Sequence, residues 1–242
     1  MHNAALAAMG LDGEWRYQKL PVPPDAFEAT VRALPGVGFA GANVTVPHKE
    51  AALALADDAT PAARAIGAAN TLTFRADGTI AAGNTDAPGL RAALPQSPEG
   101  ATALVLGAGG SARAAIFALL GAGAAQVSVL NRSAERAERL AAEFGVRVVE
   151  APEQAHLLVN CTSVGLADGD ETPIAAAALD GFGVVVDLVY RPGGTRLLRD
   201  AADRGLATVD GIEILVQQGA RSLAHWTGAE PPLDVMRRAA LG

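Results

Sequence analysis

Two hydrophobic rhythms divide the chain. From residue 101 onward, short apolar runs at 104–106, 127–130, 146–149, 157–160 and 184–188 are separated by helical patterns or turns. Runs of this length bounded by turn residues predict the buried strands of a parallel, doubly wound sheet. The stretch 114–130 is broken by Gly121, Gly123 and Gln126, and reads as helix, turn and strand, too short and interrupted to span a bilayer. The first hundred residues are more mixed. Leu6 and Met9 have helical spacing ahead of Gly10, and Trp15, Tyr17 and Leu20 alternate as in a strand. Pro21, Pro23 and Pro24 predict a loop, with Asp25 capping a helix through Leu34. Residues 39–46 read as extended, with Pro47 at the first helical position before 50–56. A helix over 57–66 follows, with Thr60-Pro61 at a cap and Gly67 ending it. Residues 70–74 and 79–82 predict a hairpin about Asp77-Gly78. A helix over 88–94 leads into a Pro/Ser/Gly linker at 95–100, and a long helix from Ile212 to about Trp226 and a short one after Pro231-Pro232 end the chain.

The predicted class is therefore α/β with two domains. A Rossmann-type, doubly wound parallel domain spans 87–211, and a smaller α/β domain is made of 1–86 plus 212–242. That layout implies a cleft that opens and closes on cofactor binding.

Composition narrows the function. Half of the 242 residues are hydrophobic and only 4% aromatic, so the core must be built from Ala, Val, Leu and Ile. A net charge of −7 without a Lys/Arg cluster argues against nucleic acid or an anionic membrane as partner. One cysteine, Cys161, excludes an internal disulfide, and His2, His48, His156 and His225 lack paired ligand spacing, so no metal site is predicted. The opening residues carry no basic-then-apolar signal pattern, and a cytoplasmic location is expected.

Candidate chemistry falls in two places. The run Gly107-Ala108-Gly109-Gly110-Ser111-Ala112 follows a predicted strand and opens a helix, where backbone N–H groups and a positive helix end suit a pyrophosphate. The next strand ends in Asn131-Arg132-Ser133, with no acid to hold a ribose 2′-hydroxyl. A guanidinium fits a 2′-phosphate bidentately, so the expected cofactor is NADP(H) rather than NAD; the bland alternative is an exposed arginine at a helix start. In the first domain, Asn43, Thr45 and Lys49 fall within seven residues, and Asn70-Thr71 and Asn84-Thr85-Asp86 add amides and a carboxylate at predicted strand or turn ends. Such groups suit a hydroxylated, carboxylated small molecule, and Lys49 with Asp86 forms a candidate proton-transfer pair. Taken singly, each of these polar residues has an ordinary capping or solvated reading.

Together these blocks resemble the shikimate dehydrogenase family. The matching runs are 41–49 (Gly-Ala-Asn-Val-Thr-Val-Pro-His-Lys), 69–71, 83–89, 107–113, 131–133, 160–166 (Asn-Cys-Thr-Ser-Val-Gly-Leu), 187–192 (Asp-Leu-Val-Tyr-Arg-Pro) and 211–218 (Gly-Ile-Glu-Ile-Leu-Val-Gln-Gln). They follow the family's order over nearly the whole chain. The resemblance implies NADPH-dependent reduction of 3-dehydroshikimate to shikimate, in aromatic amino-acid biosynthesis. It implies Lys49 and Asp86 as the catalytic pair, and Thr45, Asn70, Asp86, Tyr190 and Gln218 as substrate contacts. It also implies Asn131 and Arg132 as the adenosine-phosphate clamp, with Thr162 and Gly211 along the cofactor. The partner expected is a small-molecule substrate, and the protein a monomer or homodimer.

One departure is plain. The family opens with a strand and a Ser-x-Ser-Pro segment ahead of a His-Asn pair, and this chain begins at that pair, Met1-His2-Asn3. A start assigned to an internal methionine is the expectation, a truncated paralogue its rival. Weaker substrate binding and a less stable first sheet are expected of the chain as written. Alternatives in function are a non-catalytic ligand sensor of the same fold, or a dehydrogenase acting on quinate or an aminoshikimate. A tetrahydrofolate-linked dehydrogenase of similar layout lacks the motif blocks.

Overall fold

The computed structural model describes residues 1–167, 171–191 and 193–242, and Pro192 of the last matching block but one lies outside them. Two compact units emerge. One holds Met1–Asp86 and Val216–Gly242, the other Ala87–Leu215. Among the described residues, no helix is long and apolar enough to cross a membrane.

The first unit opens with α1 (His2–Ala8), which ends ahead of Gly10 in the left-handed conformation. No strand forms over 15–20, contrary to the alternation read there. The backbone N–H and C=O of Tyr17 pair instead with the Asn3 side chain at 2.8 and 2.9 Å, and its ring stacks on His2. Nor does Asp25 cap a helix. It sits inside a 3₁₀ turn, Pro24–Ala26, and α2 (Phe27–Ala33) follows directly. The extended segment contracts to β1 (Gly41–Asn43), and Pro47 lies in a turn closed by His48 N–H on Thr45 O at 2.9 Å, so α3 begins at Lys49 (Lys49–Ala54). Residues 57–60 are not helical. Asp57 and Thr60 donate their N–H groups to Ile80 and Ala82 carbonyls, making a two-residue strand, β2 (Asp58–Ala59). Helix α4 (Pro61–Ile66) then starts where the proline needs no acceptor, with the Thr60 hydroxyl as cap and Gly67 ending it left-handed.

Strands β3 (Thr71–Phe74) and β4 (Ile80–Gly83) form the expected hairpin. The sheet order is β1-β3-β4-β2, antiparallel except for β2 beside β4. Registers Asn43↔Thr71 and Thr71↔Gly83 bring the end of β1, the start of β3 and the end of β4 to one edge. Phe27, Val31, Leu34, Val44, Leu55, Leu72, Phe74 and Ile80 form the core behind it.

Helix α5 (Asp86–Ala93) leads into the second unit. There β5 (Thr102–Leu106), α6 (Gly110–Gly121), β6 (Gln126–Leu130), α7 (Ala134–Phe144), β7 (Arg147–Val148), β8 (Ala155–Asn160), β9 (Phe182–Asp187), α8 (Arg196–Ala202) and β10 (Ala207–Val209) alternate. All six strands are parallel, in the order β10-β9-β8-β5-β6-β7. The chain moves outward from β5 to β7, then returns to β8 on the other side and moves outward again. This is the dinucleotide-fold order, with its switch point between β5 and β8. Central strands are buried over 103–106 and 184–187, as apolar runs covered on both faces require. β10, too short and mixed to register as an apolar run, was not among the predicted strands. The chain closes with α9 (Gly211–Thr227) and α10 (Leu233–Leu241).

Candidate active site

In the first unit, the shared sheet edge assembles four of the predicted residues. Lys49, the first residue of α3, donates from Nζ to Asp86 Oδ2 at 2.8 Å, and both side chains are nearly buried. A cation at a helix start opposes the helix dipole, a local conflict of the kind tolerated at functional positions. Asp86 opens α5, where the dipole favours a carboxylate. Asn70 joins the pair from the segment entering β3. Its Nδ2 donates to Asp86 Oδ1 at 2.8 Å and to Gln218 Oε1, from α9, at 3.1 Å.

The amide orientation of Asn70 is set on its other side. Oδ1 accepts from Thr85 N–H at 2.7 Å and from the Thr71 hydroxyl at 3.0 Å, so the NH₂ must face Asp86 and Gln218. Thr71 and Thr85 were not among the predicted site residues. Their position beside Asn70 and Asp86 in the sequence was the available signal. Asn84, adjacent, is a strut whose Nδ2 donates to Ala68 O at 3.0 Å. Asn43 accepts from the Tyr17 and Ser222 hydroxyls at 3.0 and 3.3 Å, and donates to Asn70 O at 3.3 Å, which braces the same edge from behind. Thr45 stands apart from this network and is exposed.

In the second unit, the glycine turn sits at the end of β5. Gly107 has φ +106°, a conformation open to glycine, and a Cβ there would lie 3.2 Å from the Cys161 carbonyl carbon. Its N–H donates to Leu130 O at 2.9 Å, which ties the turn to the end of β6 and removes that group from any ligand. The first α6 bond runs from Arg113 N–H to Gly109 O, so the N–H groups of Gly110, Ser111 and Ala112 precede the helical ladder. The N-cap is Gly109, which has no side chain to cap the helix, and no Cβ atoms stand at Gly109 and Gly110.

Just past β6, Asn131 braces its turn by donating to Ser133 O at 2.9 Å, and Ser133 caps α7. Arg132 is exposed between them. Arg136, one turn into α7, is exposed too, a second guanidinium four residues on that was not predicted. On the other side of the switch point, Thr162 follows β8, its N–H and hydroxyl both donating to Asn160 Oδ1. Tyr190 lies past β9 and is 47% exposed. Gly211 opens α9 so tightly that a Cβ would lie 2.6 Å from Val189 O.

Comparison with known proteins finds three family models along the chain. A family model described as the shikimate dehydrogenase substrate binding domain matches residues 1–72. One for shikimate/quinate 5-dehydrogenase matches 91–178, and one for the shikimate 5′-dehydrogenase C-terminal domain matches 211–241. The shikimate dehydrogenase (NADP⁺) of Methanothermobacter thermautotrophicus is 42% identical, over 99% of this chain and 89% of that protein. That of Methylobacterium radiotolerans is 46% identical, over 96% and 86%. The crystal structure of the Thermus thermophilus shikimate 5-dehydrogenase in complex with NADP(H) and shikimate superposes with a TM-score of 0.90, at 43% identity, over 99% of this chain and 91% of that one. Similarity of this depth over nearly the full length, on the same parallel-sheet framework, places the chain in the shikimate dehydrogenase family.

Proposed function

We propose that this protein catalyses the reversible, NADPH-dependent reduction of 3-dehydroshikimate to shikimate. The observation that carries the reading is the hydrogen-bonded group Lys49–Asp86–Asn70–Gln218, in a protein whose family includes a member crystallised with both shikimate and NADP(H).

The second unit fits a dinucleotide. Gly107 allows close backbone approach, the start of α6 at Gly110 suits a pyrophosphate, and the exposed Arg132, with Arg136 four residues on, supplies charge for a 2′-phosphate. In this reading Ala108, Gly109 and Ser111 line the same turn, Asn131 orders the segment that carries Arg132, and Thr162 and Gly211 line the far side. When bound, NADPH supplies the hydride. The rest of the chemistry belongs to the chain.

As the ketone carbon is reduced, its oxygen gains negative charge and takes a proton. Lys49 Nζ gives that proton, and in the oxidative direction the neutral amine takes it from the hydroxyl. Asp86 holds the amine in place and, with Asn70, accepts and donates to ring hydroxyls. Asn70 can do so with fixed polarity because Thr85 N–H pins its carbonyl oxygen. Gln218, Thr45 and Tyr190 complete the contacts proposed for the substrate. No metal is required.

The test is direct. NADP⁺ and shikimate are mixed with the protein, and absorbance is followed at 340 nm. NADPH formation supports the reading. Binding of shikimate without turnover would instead favour a non-catalytic sensor.

A further inference from the structure

Asp187 is a fully buried carboxylate at the C-terminal end of β9, and the chemistry above does not use it. Three neutral donors converge on it. Asn160 Nδ2 at 2.8 Å and Val189 N–H at 3.0 Å meet Oδ1, and the Thr195 hydroxyl at 2.6 Å meets Oδ2. Burial pushes its pKa up, the three donors pull it down, and the charge of Asp210 adds to the rise. Holding a carboxylate here with neutral donors only is costly, so the position has to gain something in return.

Its surroundings show what is gained. Asn160, its registered neighbour at the end of β8, is equally buried and passes the constraint on. Asn160 Oδ1 accepts the N–H and the hydroxyl of Thr162 at 3.0 and 2.7 Å, and Thr162 Oγ accepts Val164 N–H at 3.1 Å. In the other direction Asp187 holds the Val189 N–H directly and Thr195, the cap of α8. The turns after β8 and β9 thus hang on one carboxylate. The first abuts Gly107 through Cys161, whose carbonyl carbon would lie 3.2 Å from a Cβ there, and the second abuts Gly211 through Val189, too closely for a Cβ at 2.6 Å.

We propose that Asp187 is a positioning residue that sets the wall of the dinucleotide crevice on the β8 and β9 side, across the switch point from Arg132. The inference rests on the NADP reading above. A dinucleotide lies across the switch point of such a sheet. The half held at the end of β6 is therefore independent of Asp187, and the half beside β8 is not.

The variants Asp187→Asn, Thr195→Val and Thr195→Ser separate these halves in the full-length protein. Affinity for 2′,5′-ADP, the adenosine-phosphate half alone, is measured by calorimetry, and kcat and the KM for NADP⁺ with shikimate. Asp187→Asn and Thr195→Val should bind 2′,5′-ADP within about twofold of the unmodified protein while kcat/KM for NADP⁺ falls at least about tenfold. Thr195→Ser, which restores the hydroxyl, should recover most of that loss. A merely structural role would lower the Tm and leave both constants of the folded protein in place. The Thr195 pair keeps the test valid if Asp187→Asn does not fold. Normal kcat and KM in folded Thr195→Val, or an equal loss of 2′,5′-ADP affinity, overturns the proposal. Failure of the unmodified protein to bind 2′,5′-ADP would instead overturn the NADP reading on which it rests.

Discussion

At the scale of single residues, the proposed cofactor preference turns on Arg132. It is exposed, it lies two positions past β6, and no hydrogen bond or ion pair engages its guanidinium among the described residues. A charge-assisted bidentate contact to a 2′-phosphate contributes about 1.5–3 kcal/mol, so Arg132→Ala should raise the KM for NADP⁺ about 10- to 100-fold. NAD⁺, which lacks the phosphate, should be much less affected. An unchanged ratio of the two in steady-state kinetics would count against the assignment. His2 supports a second expectation. Burial is the largest cause lowering its pKa from 6.5 to about 4. The unfolded chain therefore binds a proton first as pH falls, and stability is lost between pH 6.5 and about 4. At about 1.4 kcal/mol per pH unit the loss from this residue reaches about 3 kcal/mol at most. Chemical denaturation across this range should show it, and His2→Gln should remove that part of the slope. An identical slope in the variant would refute the assignment.

At the scale of elements, the structure shows why some predictions succeeded. Strands β5, β8 and β9 were legible because burial on both faces demands unbroken apolar runs, and α4 because Thr60 and Gly67 mark its ends. The failures share a cause too. The segment at 15–20 alternates as a strand does, yet Asn3 satisfies its backbone locally. Residues 57–60 look helical, yet β4 offers them a partner close in space and remote in sequence. Pattern alone cannot see such tertiary partners. The same holds for the site. Lys49, Asp86 and Asn70 stood out from motif blocks, whereas the pinning of Asn70 by Thr85 and the bracing by Tyr17 and Ser222 appear only once the strands are in register. The edge strand β1 gives a test at this scale. A Cβ on Gly41 would overlap the Trp226 ring and the Leu72 carbonyl, and Trp226 Nε1 donates to that carbonyl at 3.1 Å. Gly41→Ala should destabilise the protein by about 1–3 kcal/mol, as overpacking does, readable as a lower denaturation midpoint. A wild-type midpoint would mean that the ring moves aside freely.

At the scale of the whole molecule, the two units carry different halves of one proposed reaction. The first, Met1–Asp86 with Val216–Gly242, assembles the proposed proton donor and the amide and carboxylate grip from the starts of α3 and α5, the segment entering β3, and α9. The second, Ala87–Leu215, offers the glycine turn, the helix start and the guanidinium that a 2′-phosphorylated dinucleotide needs. The proposed division of labour implies that the proton-transfer step can be removed without disturbing the cofactor. Shikimate oxidation by NADP⁺, followed at 340 nm in the unmodified protein and in Lys49→Ala, measures this most directly when paired with the Kd for NADP⁺. The account predicts that kcat falls by roughly two to four decades, the range expected for a general acid–base group, with the Kd nearly unchanged. Near-normal turnover in Lys49→Ala would contradict it.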